Sequence, residues 1–179
     1  DADTRLKAEI AGGVDTRLCY AIEDLVEEMA KEGDDRFDYI IIDCGPRLDM
    51  TTTNAIVALE AGNNASHIII PIKVDGFAIA GLSQTIDTIN RTAKERRRLP
   101  QHWKILQTMI ERKTSAYKVG CELLKEAIPN AEYFNTKIEK STVVPEASLA
   151  MEPLITYAPD SKPGMQYRLL AQEIEEMNA

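Results

Sequence analysis

The sequence predicts an α/β fold: a mostly parallel sheet covered by helices on both faces. Two apolar runs, Phe37 to Asp43 and His67 to Val74, are nearly continuous rather than alternating. Strands read that way when both of their faces are buried in a parallel sheet. Around them, apolar residues recur at helical spacing, so that helices and strands alternate along the chain and right-handed crossovers between parallel neighbours are expected.

The elements follow in order. Leu18, Ile22, Leu25 and Met29 mark one core-facing side of a first helix, within a helical lead-in covering residues 1–35. The strand Phe37 to Asp43 comes next, then a helix whose first turn runs through Asp49, Met50 and Thr51, then the strand His67 to Val74. Leu82, Ile86, Ile89 and Ala93 carry the following helix, which Pro100 stops before a strand from Trp103 to Ile110,. Tyr117, Cys121, Leu124 and Ile128 mark a helix stopped at Pro129; Leu154 to Tyr157, guarded by Pro153 and Pro159, reads as a short strand; and Gly164 to Ala179 closes the chain as a helix through Leu170, Ile174 and Met177,.

With 179 residues, 44% of them apolar, the chain can bury one ordinary core, and a single α/β domain over 1–179 is expected. Its apolar runs fall far short of the ~20 residues that span a bilayer, and no charged-then-apolar leader opens it. Three cysteines without CxxC spacing suggest neither a disulfide framework nor a zinc site, so a reducing cytoplasm is expected. The net charge of −8 counts against a nucleic-acid partner, but it is unevenly placed,. Arg91, Lys94, Arg96, Arg97, Arg98 and Lys104 face Glu95 alone in one short block. Cations at a helix end favour its dipole, which accounts for one or two of them; the functional reading of the set is a face that contacts phosphates.

The run Tyr39-Ile40-Ile41-Ile42 ends abruptly on Asp43, followed by Cys44-Gly45-Pro46. A buried carboxylate is costly unless compensated, and in an open parallel sheet the residue closing a strand points into the ligand crevice. There Asp43 can hold Mg²⁺, directly or through water, while Gly45 lets the backbone approach a phosphate and Pro46 restricts the turn. The alternative is that Asp43 caps the helix that follows. The turn by itself leaves both open.

Several separated segments resemble the ParA/MinD group of deviant Walker ATPases, and in particular the ParA (Soj-like) partition proteins. They are FDYIIIDCGP, TTTNAIVA (Thr51 to Ala58), IIIPIKVDGFAIAGLSQTID (Ile68 to Asp87), ILQTMIERKT (Ile105 to Thr114), KIEKSTVVPEAS (Lys137 to Ser148) and EPLITYAPDSKPGMQYRLLAQEI (Glu152 to Ile174). The resemblance implies a P-loop NTPase-like fold, here incomplete, in an ATP-dependent homodimer that binds DNA without sequence preference. It also implies release by a centromere-binding, ParB-like partner, and a bacterial cytoplasmic, nucleoid-associated location. Carried over by position, Asp43 is the Walker B carboxylate near Mg²⁺ and Gly45-Pro46 the switch that senses the γ-phosphate. Met109, Ile110, Ile138 and Glu139 border the adenine. Arg91, Lys94, Arg96, Arg97 and Arg98, extended by Lys113 and Lys140, form the DNA face.

This sequence departs from the family pattern in four places. No GxxxxGK[ST] occurs in it; AGGV at Ala11 to Val14 lacks the lysine. Gly45 stands for the first switch proline, Glu139 for a proline, and Ile110-Glu111 for Tyr-Asp. ATP and Mg²⁺ are expected in the complete protein, and whether this chain alone holds either is left open. Lacking the loop that places a lysine against the phosphates, the chain alone is expected not to hydrolyse ATP. A non-catalytic ParA-like interaction module is the second reading. A membrane-positioned, MinD-like role is disfavoured by the acidic tail Glu173, Glu175 and Glu176,. His67, His102, Cys44 and Trp103 lack partners at ligand or catalytic spacing and read as structural.

Overall fold

The computed structural model describes residue 13 and residues 16–32, 37–45, 47–59, 66–95 and 102–177. The chain divides into two compact units, Asp1–Ser66 with Thr85–Gln101, and His67–Gln84 with His102–Ala179. Its elements are α1 (Arg17–Glu32), α2 (Met50–Ala58), β1 (His67–Lys73), α3 (Gly76–Glu95), β2 (His102–Thr108), α4 (Ser115–Ala127), α5 (Val143–Leu149), α6 (Leu154–Tyr157) and α7 (Lys162–Met177). The α/β class holds: a parallel sheet is flanked by helices.

In the first unit α1 packs on α2. The Leu18 N–H donates to the Asn54 side-chain oxygen (3.3 Å), and Thr53, Ala55, Ile56, Val57 and Ala58 of α2 are buried. α2 is buried on most sides, which suits its run of small and β-branched residues, MTTTNAIVA. The apolar run from Phe37 does not form a strand. Among the described residues it has no sheet partner, and Ile41 is 90% exposed. A strand is defined by its neighbour's hydrogen bonds, and apolar composition cannot supply that neighbour.

In the second unit β1 and β2 pair in parallel, with His67 opposite His102 and Ile70 opposite Ile105. The crossover is α3, capped at its start by Asp75, whose carboxylate accepts the Ala78 N–H (3.0 Å) and pairs with Lys73 (3.3 Å). Ala78 first and Lys73 after it hold the Asp75 carboxyl below its usual range. Ile70 and Ile72 of β1 are buried while Ile69, Pro71 and Lys73 are exposed, so β1 is buried on one face where the sequence predicts two. Pro71, which has no N–H to donate, is tolerated because β1 is paired on one side only among the described residues,.

The other edge of β2 is lined by the segment from Glu132 to Lys140. Ile105 N–H donates to the Glu132 carbonyl (2.9 Å), Phe134 N–H to the Ile105 carbonyl (3.0 Å), and Ile138 N–H to the Gln107 carbonyl (2.9 Å). Successive strand residues point to opposite faces. Leu106 packs with Phe134, Ile138 and Leu170 of α7, whereas Gln107 on the opposite face accepts the Tyr117 hydroxyl of α4 (2.7 Å). α7 and α4 therefore cover the two faces of β2. A Cβ on Gly120 of α4 would lie 2.8 Å from Val74 Cγ1 and 3.1 Å from the Val74 carbonyl oxygen, so a side chain there would push the helix off the end of β1.

Leu154 to Tyr157, expected as a strand, is instead the helical turn α6. Proline at 153 is well suited to begin a helix, and the Thr156 and Tyr157 N–H groups both donate to its carbonyl (2.9 Å each),. α5 was not expected. Among the described residues no helix is long and apolar enough to cross a membrane.

Candidate functional site

Asp43 is exposed, and among the described residues nothing holds its carboxylate. Gly45 has open space around it, with nothing within 4 Å of where a Cβ would stand; Pro46 lies outside the described residues. Cys44 is exposed, its thiol 3.9 Å from the Ile42 carbonyl. Partial burial first, then the charge of Asp43, push the thiol up, which keeps it protonated and unreactive,.

The capping alternative for Asp43 is overturned. The α2 cap is Asp49, whose carboxylate accepts the Thr51 N–H (3.0 Å), the Thr52 N–H (3.5 Å) and the Thr51 hydroxyl. The Thr51 hydroxyl contributes most to holding the Asp49 carboxyl below its usual range. With the helix end satisfied six positions later, Asp43 has no part in capping it.

Four residues assigned to an adenine edge come together in the second unit, at the carboxyl end of β2. Met109 ends the strand by adopting φ +51, the left-handed region that L-residues rarely visit, and its side chain is exposed,. Ile110 and Ile138 are buried and joined through the backbone: the Ile110 N–H donates to the Ile138 carbonyl and the Lys140 N–H to the Ile110 carbonyl (3.1 Å each). Glu139 lies between Ile138 and Lys140 in the chain, and its carboxylate is engaged by Arg112 Nε (2.8 Å) and Lys162 Nζ (2.7 Å). Lys162 first and Arg112 second hold the Glu139 carboxyl below its usual range. The Glu139 N–H donates to Gln166 Oε1 (2.9 Å), tying the same loop to α7.

The basic residues fall in different places. Arg91 and Lys94 are exposed near the end of α3, three apart and hence on one side,. Arg96, Arg97 and Arg98 lie outside the described residues. In the second unit Lys113 is exposed in the turn before α4, while Lys140 is bound to Glu111 Oε1 (2.9 Å).

Sequence reasoning missed two clusters. Glu173 of α7 accepts the backbone N–H groups of Asn135 (2.7 Å) and Thr136 (2.9 Å). Burial alone would raise its carboxyl, but the Thr136 and Asn135 N–H groups outweigh that and lower it. Tyr117 donates to Gln107, and Lys137 Nζ approaches its hydroxyl (3.4 Å). Burial first, then Cys121, push Tyr117 up to about 12. Neither cluster has a local signature, because its members stand far apart in sequence. His67 and His102 face each other across β1 and β2 with ring centroids 6.3 Å apart. No group of three potential metal ligands occurs among the described residues.

A family model described as an AAA domain matches residues 10–101. The sporulation initiation inhibitor protein Soj of Bacillus subtilis is 32% identical over 144 residues, covering 77% of this chain and 52% of that protein. A protein of Pseudomonas putida is 34% identical over 143 residues, 78% of this chain and 51% of its own length. The chromosome partitioning protein ParA of Caulobacter vibrioides is 26% identical over 166 residues, 93% of this chain and 59% of that protein. The chain thus spans about half the length of the curated relatives it matches. With the family model covering more than half of its residues, this chain belongs to the AAA domain family of ParA/Soj type.

Proposed function

We propose that the chain is the part of a ParA-type partition ATPase that presents the metal-binding carboxylate, one wall of the nucleotide site and a DNA-contacting face. The observation that carries this reading is Asp43, an exposed carboxylate at the end of an apolar run, followed by Gly45, with the neighbouring helix cap already filled by Asp49. Mg²⁺ is usually held by one or two carboxylates together with substrate phosphates rather than by an all-protein cage. A single exposed aspartate fits that habit. When bound, Mg²⁺ would neutralise charge on the phosphates. Asp43 would orient the ion, and Gly45 with Pro46 would read the terminal phosphate. Met109, Ile110, Ile138 and Glu139 would border the base at the carboxyl end of β2, where ligands of open α/β sheets bind.

In the complete protein this reading includes ATP-dependent dimerisation, non-specific DNA binding through Arg91, Lys94, Arg96, Arg97, Arg98, Lys113 and Lys140, a ParB-like partner, and action in the cytoplasm at the nucleoid. Titration of a fluorescent ATP analogue with Mg²⁺ tests the carboxylate. In the complete protein Asp43→Ala is expected to weaken magnesium-dependent binding about tenfold or more, and equal binding with and without the aspartate would remove it from the site. The 179 residues alone, without a GxxxxGK[ST] loop, are expected to show no ATP turnover; turnover that vanishes in Asp43→Ala would overturn that.

A further inference from the structure

β1 and β2 begin at the same level of the sheet, and each begins on a histidine: His67 lies opposite His102 in the parallel register. Neighbouring strands run about 4.7–4.9 Å apart, so residues at one level of a parallel pair send their side chains to the same face, side by side. The two imidazoles accordingly stand with ring centroids 6.3 Å apart and planes tilted by 54°. That tilt is neither the parallel placement of stacked rings nor the perpendicular one of an edge-to-face pair. The separation fits a different use. An imidazole nitrogen binds Zn²⁺ at about 2.0–2.1 Å, which sets a ring centroid roughly 3 Å from the ion and two rings sharing one ion about 5–6.5 Å apart. The pair stands within that span.

Room and access are present as well. Both rings line a cavity of about 200 Å³ together with Trp103, Lys104 and Glu132, which is space for an ion and the waters that complete its shell. His102 is exposed and His67 half-buried, so an ion reaches the pair from solvent. The ammonium of Lys104, 5.8 Å from the Phe134 ring centroid, opposes a cation, and the carboxylate of Glu132 offsets it. All of these residues belong to one compact unit. Within that unit Met109 and Ile110 follow the far end of β2, about 20 Å along the strand from His102 at roughly 3.3 Å per residue.

We propose that His67 and His102 form a two-histidine site for a divalent transition-metal ion, with water completing the coordination and Glu132 supplying negative charge beside it. Imidazole suits Zn²⁺, Ni²⁺ and Cu²⁺, whereas Mg²⁺ takes oxygen ligands. A bound ion ties the first rung of β1 to the first rung of β2 and so stabilises the pairing of two segments distant in sequence. The proposal uses none of the residues assigned to nucleotide or DNA and does not depend on that reading.

Trp103, the only tryptophan of the chain, lines the same cavity and reports on it. Ni²⁺, a quencher of nearby tryptophan fluorescence, is titrated into this chain in the presence of excess Mg²⁺. Saturable quenching is expected, reversed by EDTA and competed by Zn²⁺, and Zn²⁺ is expected to raise the melting temperature by several degrees. His67→Gln and His102→Gln should each weaken Ni²⁺ binding about tenfold or more and remove the Zn²⁺ shift. Metal-free His102→Gln should melt within about 2 °C of wild type, which separates loss of the ligand from loss of the fold. Quenching that never saturates, that excess Mg²⁺ abolishes, or that survives undiminished in both histidine variants would each overturn the proposal. So would a melting temperature that Zn²⁺ leaves unmoved, or quenching lost in Cys44→Ser, which would assign the ion to the exposed thiol.

Discussion

The Glu139 carboxylate, with a side chain 19% exposed, gathers Arg112 and Lys162 from segments on either side of it in sequence. Both cations are largely solvated, so each pair contributes within the ~0.2–1 kcal/mol range of exposed ion pairs. Glu139→Gln is therefore expected to lower stability by about 1 kcal/mol at neutral pH in urea denaturation. The pH dependence has a definite sign. The folded-state pKa values of Glu139 and Glu173 are depressed, so the stability they supply is complete above the unfolded carboxylate value of about 4.3 and is lost as pH falls through the folded values. The gap between wild type and Glu139→Gln should close in that acid range; a gap that persists unchanged when both proteins are compared well below pH 4 would show that packing, not charge, carries the effect. None of this was legible locally, because Arg112 and Glu139 stand 27 positions apart. The sequence places Asp49 in the first turn of its helix, and the structure moves it one position out, to the N-cap, where its carboxylate accepts the Thr51 and Thr52 N–H groups,.

At the level of elements, α7 depends on a close approach at its start. A Cβ on Gly164 would lie 2.7 Å from the Ala158 carbonyl oxygen and 3.1 Å from that of Pro159. Backbone oxygens cannot yield as a flexible side chain can. Gly164→Ala should lower the melting temperature by several degrees, in the range that a loss of about 1–3 kcal/mol produces for a chain of this size; a melting temperature equal to wild type would mean that the Ala158–Ser161 turn shifts freely. The helical stripes of α1, α3, α4 and α7 were readable because a helix closes its hydrogen bonds within itself and needs only one apolar side. The run Phe37 to Asp43 misled for the converse reason. Its residues have the composition of a buried strand, yet a strand exists only beside a partner, and among the described residues it has none. Leu154 to Tyr157 misled through its flanking prolines, which bound a helical turn as readily as a strand.

At the scale of the whole molecule, the net charge of −8 opposes DNA, and any affinity must come from locally clustered cations. In the complete protein, replacing Arg96, Arg97 and Arg98 by Glu is expected to abolish salt-sensitive DNA binding while leaving nucleotide binding intact. Lys113→Ala should flatten the dependence of log affinity on log salt by about one ion, and Lys140→Ala by less, since Lys140 is already shared with Glu111. Equal slopes for all three proteins and wild type in an anisotropy titration would remove these residues from the DNA face. The sequence by itself determined the α/β class, most of the helices, the two paired strands and the family, because periodicity, capping and local segments are properties of neighbouring residues. Only the tertiary structure decided which strands found partners, that Asp49 rather than Asp43 caps α2, how Glu139 and Glu173 bind distant groups, and that His67 and His102 stand at one level across β1 and β2. Those outcomes depend on which distant backbone or side-chain groups satisfy one another's hydrogen bonds and charges, and no single stretch of sequence contains both halves of such a pair.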